Sequence, residues 1–245
     1  MLSSIRASNA WLAALLFAVT SLATTYLLRH HLRDLSEIAL TYKTFYPTLR
    51  QHPEILYDYS SSASLPDQPD SALAPRIIHQ IFLTEGRNPT LSRYEDAIQS
   101  CKALHPDWTY IMWTDSTANE FMSQHYPSIW PHYQSYGQSI QRANTLRYAL
   151  LEHYGGAYLD IDITCRQPLD NLRHVPLLTP GAHPAGVNNA FILSRPHHPF
   201  LKHILAGLPS RDLTWGAPYA ENMLSTGCGY FGNRVSSQIA AFGRR

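Results

Sequence analysis

Asp160 and Asp162 stand two residues apart in the run Ala157-Tyr158-Leu159-Asp160-Ile161-Asp162. Carboxylates are hard oxygen ligands, and a pair at this spacing suits Mg²⁺ or Mn²⁺, with substrate phosphates completing the shell. An isolated Asp-x-Asp says little, because most such pairs are solvated loop charges. Here an apolar, strand-like run leads directly into the pair, and aspartate is depleted in strands. If the strand extends to Ile163, both carboxylates point to the same side. Upstream lie Arg142, Asn144 and Arg147. Arg147 could fork onto a phosphate or a sugar hydroxyl, or it could pair with Glu152 or another carboxylate.

Other chemistries have weaker support. Cys101, Cys165 and Cys228 lack zinc spacing; one luminal disulfide and buried free thiols both stay open. The 13 histidines contain no His-Glu-x-x-His, and no phosphate-loop motif occurs. Nineteen basic against 18 acidic side chains give a net charge of +1, which disfavours a nucleic-acid partner held by phosphate neutralisation.

The elements that must position these residues follow from patterning. Trp11 to Leu28 runs 18 residues without a charge, and a helix of that length spans roughly 27 Å, about a hydrocarbon core. This predicts an N-terminal anchor over 1–31 with a transmembrane span at 11–28; a cleaved signal peptide ending near Ser21-Leu22-Ala23 and a long core helix are the alternatives. Residues 32–75 read as a stem, helical to Leu49 and then rich in Ser and Pro. From Arg76 to Arg245, strand-like runs (76–82, 109–113, 157–163, 190–193) alternate with helical ones (91–104, 118–125, 140–154). Ala143, Leu146, Leu150 and Tyr154 form an apolar stripe, and Gly155-Gly156 ends that helix. The alternation predicts an α/β domain with a mostly parallel sheet, whose ligands bind beyond the strands' carboxyl ends.

Arg142-Ala143-Asn144-Thr145-Leu146-Arg147-Tyr148 followed by Tyr154-Gly155-Gly156-Ala157-Tyr158-Leu159-Asp160-Ile161-Asp162 resembles the glycosyltransferases with a DXD-containing sugar-binding region. Within them the chain is most similar to the fungal family 32 enzymes, especially the catalytic subunits of mannosyl-inositol-phosphorylceramide synthase. Pro75 to Phe82, His105 to Asp115, Pro184 to Phe191, His198 to Leu201 and Ser225-Thr226-Gly227 extend the resemblance from about Arg76 to Gly227.

The resemblance implies a GT-A-like nucleotide-sugar-binding domain and a retaining, metal-dependent mannosyltransferase. GDP-mannose would be the donor, Mn²⁺ (or Mg²⁺) the cofactor, and a sphingolipid head group the acceptor. The alternatives are a mannosyltransferase of protein-linked glycans and a non-catalytic nucleotide-sugar-binding regulator. Asp160, Asp162 and Arg147 are implied as catalytic. Asp162 would bind the metal directly, and Asp160 would help through the nucleotide ribose or a metal-bound water. Phe82, Asn144, Arg147, Tyr158, Asp160, Asn188 and Asn189 are implied at the donor; Phe82 reads equally well as a core aromatic, and the two asparagines as a turn. A Golgi membrane setting and a regulatory membrane subunit are implied as well. Two departures stand out. Asn144 occupies the place where the family has aspartate, which removes a charge and adds donors. The family also continues beyond the Ser-Thr-Gly region, so the domain is expected to be C-terminally truncated.

Overall fold

The computed structural model describes residues 2–56, 73–87, 90–182 and 186–242; side chains at 2–10, 12, 41, 42, 44, 54 and 240–242 fall outside that description. The chain forms two compact units, Met1–Leu40 and Thr41–Arg245. The first lies within α1 (Leu2–Gln51), a 50-residue helix. The span expected at 11–28 is helical, but among the described residues no helix is long and apolar enough to cross a membrane. The physical reason is dilution. Thr20, Ser21, Thr24 and Thr25 interrupt the apolar run, and the helix passes without a break into Arg29 and Arg33. The expected stem is helical as far as Gln51, and its Ser/Pro-rich part (57–72) lies outside the described residues.

The second unit is built on a five-stranded sheet: β1 (Ile77–Ile81), β2 (Thr109–Trp113), β3 (Gly156–Leu159), β4 (Leu177–Leu178) and β5 (Phe191–Ser194), in the order β2-β1-β3-β5-β4. β1 pairs in parallel with β2 and β3, whereas β3–β5 and β5–β4 are antiparallel. The sheet is therefore mixed, not mostly parallel. A parallel return needs a crossover, usually a helix. The described part of the 160–190 connection carries only a 3₁₀ turn and β4, so the chain re-enters at the edge where it left.

Strand alternation divides the apolar residues between the two faces. Tyr158 and Ile192 join the larger core with Leu146, Leu150, Phe200 and Phe231. Ala157, Leu159 and Leu193 join a smaller core with Cys101, Trp108 and Leu172. The larger core is closed by α3 (Asp115–His125), α4 (Trp130–Ser135), α5 (Ser139–His153), α6 (Pro199–Gly207) and α8 (Cys228–Phe242), the smaller by α2 (Glu95–Leu104). α7 (Pro218–Ser225) lies beside α5.

The turn from α5 into β3 requires glycine. Gly155 and Gly156 have φ of 68° and 90°. A Cβ on Gly155 would meet Pro196 N at 2.6 Å, and one on Gly156 would meet Ile77 O at 2.5 Å. This close approach sets where β3 starts, and hence where it releases the chain at Asp160.

Candidate functional site

β3 ends at Leu159, so the two aspartates do not share a strand face. Asp160 N still donates to Ala190 O (2.8 Å), and Ile163 N then donates to Asp160 O (3.0 Å). The pair consequently sits on a turn at the carboxyl edge of β1, β2 and β3. The expectation of a strand to Ile163 fails because this turn competes with the ladder just where the apolar run gives way to carboxylates.

The two carboxylates have different surroundings. Asp160 Oδ1 accepts from Tyr158 Oη at 2.6 Å and lies 3.1 Å from Arg147 Nη1. The same Nη1 donates to Asn189 O at 2.7 Å, and the guanidinium carbon sits 4.4 Å from the Tyr158 ring centroid. Arg147 is 2% exposed and Asp160 33%. Burial alone would lower the Arg147 pKa, but Tyr158 and Asp160 outweigh it and the net shift is upward. Burial likewise pushes the Tyr158 phenol well above its ordinary range, reinforced by Asp160 and opposed by Arg147. Tyr158 therefore stays a donor and Arg147 a cation at any working pH. Asp162 is exposed and has no hydrogen bond or ion pair among the described residues. One carboxylate is held and the other is open.

A polar lane continues behind Arg147. Asn189, whose carbonyl holds Arg147, donates through Nδ2 to Tyr148 Oη (2.7 Å) and to Asn144 Oδ1 (3.4 Å). Asn144 Nδ2 donates to Asn222 Oδ1 (2.8 Å) and Thr226 Oγ1 (3.2 Å), and Tyr148 Oη donates to Thr226 O (2.8 Å). Asn144 and Asn189 are both buried, so their amides serve the protein's own network. Asn188 is exposed and closes the turn, accepting from Ala190 N through Oδ1 at 2.8 Å. Phe82 is half-buried at the end of β1, edge-on to Tyr94 with ring centroids 6.3 Å apart. Of the residues singled out in the sequence, the structure joins Asn144, Arg147, Tyr158, Asp160 and Asn189 in one network. Phe82, Asn188 and Asp162 carry no link into it among the described contacts.

The loop after β1 is held from the start of α3. Asp115 accepts from Thr84 N (2.7 Å) and Thr84 Oγ1 (2.9 Å), and Glu85 pairs with Arg142 on α5. Burial works against ionisation of Asp115, yet the Thr84 and Glu85 hydrogen bonds and the Arg142 charge hold its carboxyl below the ordinary range. Sequence reading passed over this clasp and over Asn222, because their partners lie tens of residues away. It also left the cysteines open. The structure pairs Cys101 with Cys165 across 64 residues, joining α2 to the segment just beyond Asp162.

The donor set fits a divalent cation shared with a diphosphate. Among the described residues no three His, Cys, Asp or Glu side chains gather to hold a metal, so the chain offers Asp162 and the free oxygen of Asp160. One or two carboxylates, with phosphates and water supplying the rest, is the usual manner of Mg²⁺-type sites.

Residues 92–177, which include α5, β3 and both aspartates, match the family described as the glycosyltransferase sugar-binding region containing a DXD motif. The chain is 40% identical over 164 residues to inositol phosphoceramide mannosyltransferase 2 of Schizosaccharomyces pombe, covering 67% of this chain and 47% of that protein. It is 40% identical over 163 residues to mannosyl phosphorylinositol ceramide synthase SUR1 of Saccharomyces cerevisiae, covering 66% of this chain and 42% of that protein. The chain thus spans under half the length of these two relatives. Among solved structures it resembles the PaToxG glycosyltransferase, with a TM-score of 0.53 at 14% identity over 89% of this chain and 82% of that one. That likeness shows the fold, a mixed α/β arrangement similar to GT-A glycosyltransferases.

Proposed function

We propose that this chain transfers mannose from GDP-mannose to an inositol phosphorylceramide acceptor, with retention at the sugar and a requirement for Mn²⁺ or Mg²⁺. The observation that carries the reading is the pair of unequal carboxylates at the sheet's carboxyl edge, in a chain 40% identical to proteins named for that transfer. Asp162 and the free oxygen of Asp160 would hold the cation. The bound cation would supply positive charge against the departing diphosphate. Arg147 and Tyr158 hold Asp160 in one orientation, so its geometry is set before the donor arrives. Phe82 and Asn188 are the exposed or half-buried candidates for contact with base and sugar. Asn144 and Asn189 support the site from within. With no acid–nucleophile pair of the glycosidase kind among the described residues, retention is assigned to departure and attack on the same face, the leaving phosphate taking the acceptor's proton.

The proposed setting is a Golgi membrane with the catalytic unit in the lumen, alongside a regulatory membrane subunit. The Cys101–Cys165 disulfide supports an oxidising compartment. The exposed Trp11, Leu15, Leu16, Phe17 and Leu22 of α1 support membrane association.

The test is release of GDP from GDP-mannose by the full chain, with and without Mn²⁺ and inositol phosphorylceramide. The reading expects release that needs both. Nucleotide binding without release would favour the regulatory homologue, and release stimulated only by glycan acceptors would favour the protein-glycan alternative. Absence of Mn²⁺-dependent nucleotide binding refutes the site itself.

A further inference from the structure

We infer that the Cys101–Cys165 disulfide positions the cation-binding turn, and that a dithiol reductant loosens that turn and weakens the cation's hold. The inference rests on reading Asp160 and Asp162 as the cation's carboxylates.

Asp160 is fixed from the sheet side by Arg147, by Tyr158 and by its amide bond to Ala190 O. Asp162 has no such support, because its side chain is exposed and unpartnered among the described residues. Its position depends on how the chain is caught next: Ile163 N turns back to Asp160 O and its side chain packs partly on the smaller core, and the covalent tether follows at Cys165. The Cys165 sulfur is bonded to Cys101, and Cys165 N donates to Ser100 Oγ at 2.9 Å. Cys101 is 0% exposed within α2 and packs in the smaller core, so the tether ends on a rigid element. Further along, Leu169 N donates to His105 Nε2 at 2.9 Å, and Trp108 Nε1 donates to Asp170 at 3.3 Å.

With the disulfide closed, the chain between Asp160 and the covalent tether is 161–164, held within by the Ile163 N to Asp160 O bond and the partial packing of Ile163. With it open, partial packing and one hydrogen bond to a serine hydroxyl remain at Cys165, and the next hydrogen-bonded attachment is Leu169. The segment doubles to 161–168. The probability of loop closure falls as the three-halves power of length, so doubling lowers the population holding Asp162 in place by up to roughly threefold. Loss of outer support at metal sites costs about tenfold or more in affinity. Cys165 is only half-buried, so a small dithiol can reach its sulfur. The exchange balances: the Cys101–Cys165 bond breaks, the reductant's two thiols become a disulfide, and their two electrons and two protons end on the two cysteine sulfurs.

The experiment titrates Mn²⁺ into the full chain with GDP, comparing the oxidised form with one reduced by dithiothreitol and desalted anaerobically. Expected is a Mn²⁺ Kd about 3- to 10-fold weaker after reduction, with metal-free GDP affinity changed less than about twofold and reoxidation restoring the original value. The doubly substituted Cys101→Ala, Cys165→Ser chain should match the reduced form and ignore dithiothreitol. Hydrogen exchange at residues 161–164 should rise on reduction while β3 keeps its protection. Equal Mn²⁺ affinity in both redox forms, or parallel loss of GDP and Mn²⁺ binding, overturns the inference. If the oxidised chain binds no Mn²⁺ with GDP but exchange at 161–164 still rises, the tether stands and the cation reading falls.

Discussion

Replacing Arg147 by methionine tests whether the site is braced from within. The guanidinium is 2% exposed, lies 3.1 Å from Asp160 Oδ1 and donates to Asn189 O at 2.7 Å. Breaking a buried ion pair by removing one partner costs about 3 to 5 kcal/mol. Asp160 is 33% exposed, so water recovers part of this and the lower end applies, about 3 kcal/mol. The Asn189 carbonyl then loses its donor, adding about 1 kcal/mol. The sum is roughly 4 kcal/mol, and at about 2 to 4 °C per kcal/mol for a unit of this size the Tm should fall by roughly 8 to 16 °C. Arg147→Lys keeps the charge but loses the planar guanidinium that lies 4.4 Å from the Tyr158 ring centroid, so it should lose about half as much. Thermal and urea unfolding of the full chain provide the measurement, with Asp160→Asn completing a double-mutant cycle. A strut predicts strong coupling between positions 147 and 160. An Arg147→Met chain that melts within about 2 °C of the wild type yet no longer binds GDP would show that Arg147 acts on the ligand, and would refute this account.

The remaining predictions probe other parts of the fold. His79 is buried; its Nδ1 accepts from Trp113 Nε1 at 3.1 Å and its Nε2 faces Gly155 O at 3.0 Å, and desolvation lowers its pKa to about 4 against the backbone bond that raises it. Because the unfolded chain takes up this proton first, the neutral imidazole's contribution is intact above about pH 6.5 and is lost as the pH falls towards 4. Urea titrations should show up to about 3 kcal/mol of acid-dependent loss that a His79→Gln chain lacks. Gly156→Ala should cost about 3 kcal/mol or more, since its Cβ would lie 2.5 Å from Ile77 O at φ 90°. Gly137→Ala, with nothing within 4 Å of its Cβ, should be near neutral, and equal melting of the two would show that the α5–β3 turn can yield. Asn144→Asp should change stability by less than about 1 kcal/mol, because the Asn222 amide can turn over and the Thr226 hydroxyl can swing to donate. Donor affinity should change less than about twofold, since Asn144 is only 3% exposed; a tenfold tighter GDP-mannose KM would show direct contact with the sugar.

Much of the scaffold could be read from local pattern. The apolar stripe from Ala143 to Tyr154 marked α5, and Gly155-Gly156 marked its end, because helix periodicity and left-handed backbone are properties of a few adjacent residues. The strands at 77–81 and 109–113 and the Asp-x-Asp pair were legible for the same reason. Sheet direction was not. Whether the chain crosses over or folds back after β3 depends on how 160–190 packs, and no local residue type encodes that. The end of β3 escaped too, since a turn bond from Ile163 N to Asp160 O competes with the ladder.

The sequence by itself determined which chemistry was on offer: two carboxylates, a nearby arginine, and a family resemblance running through both. Tertiary structure decided how those groups are used. It buried Arg147 and spent its charge on Asp160, left Asp162 open, and enclosed Asn144 among Asn189, Asn222 and Thr226. It also chose Cys165 as the partner of Cys101. Each of these outcomes joins residues distant in sequence, and burial is a property of what surrounds a side chain. Spacing along the chain can nominate a ligand, but only the packed fold separates the carboxylate that is braced from the one left free to bind.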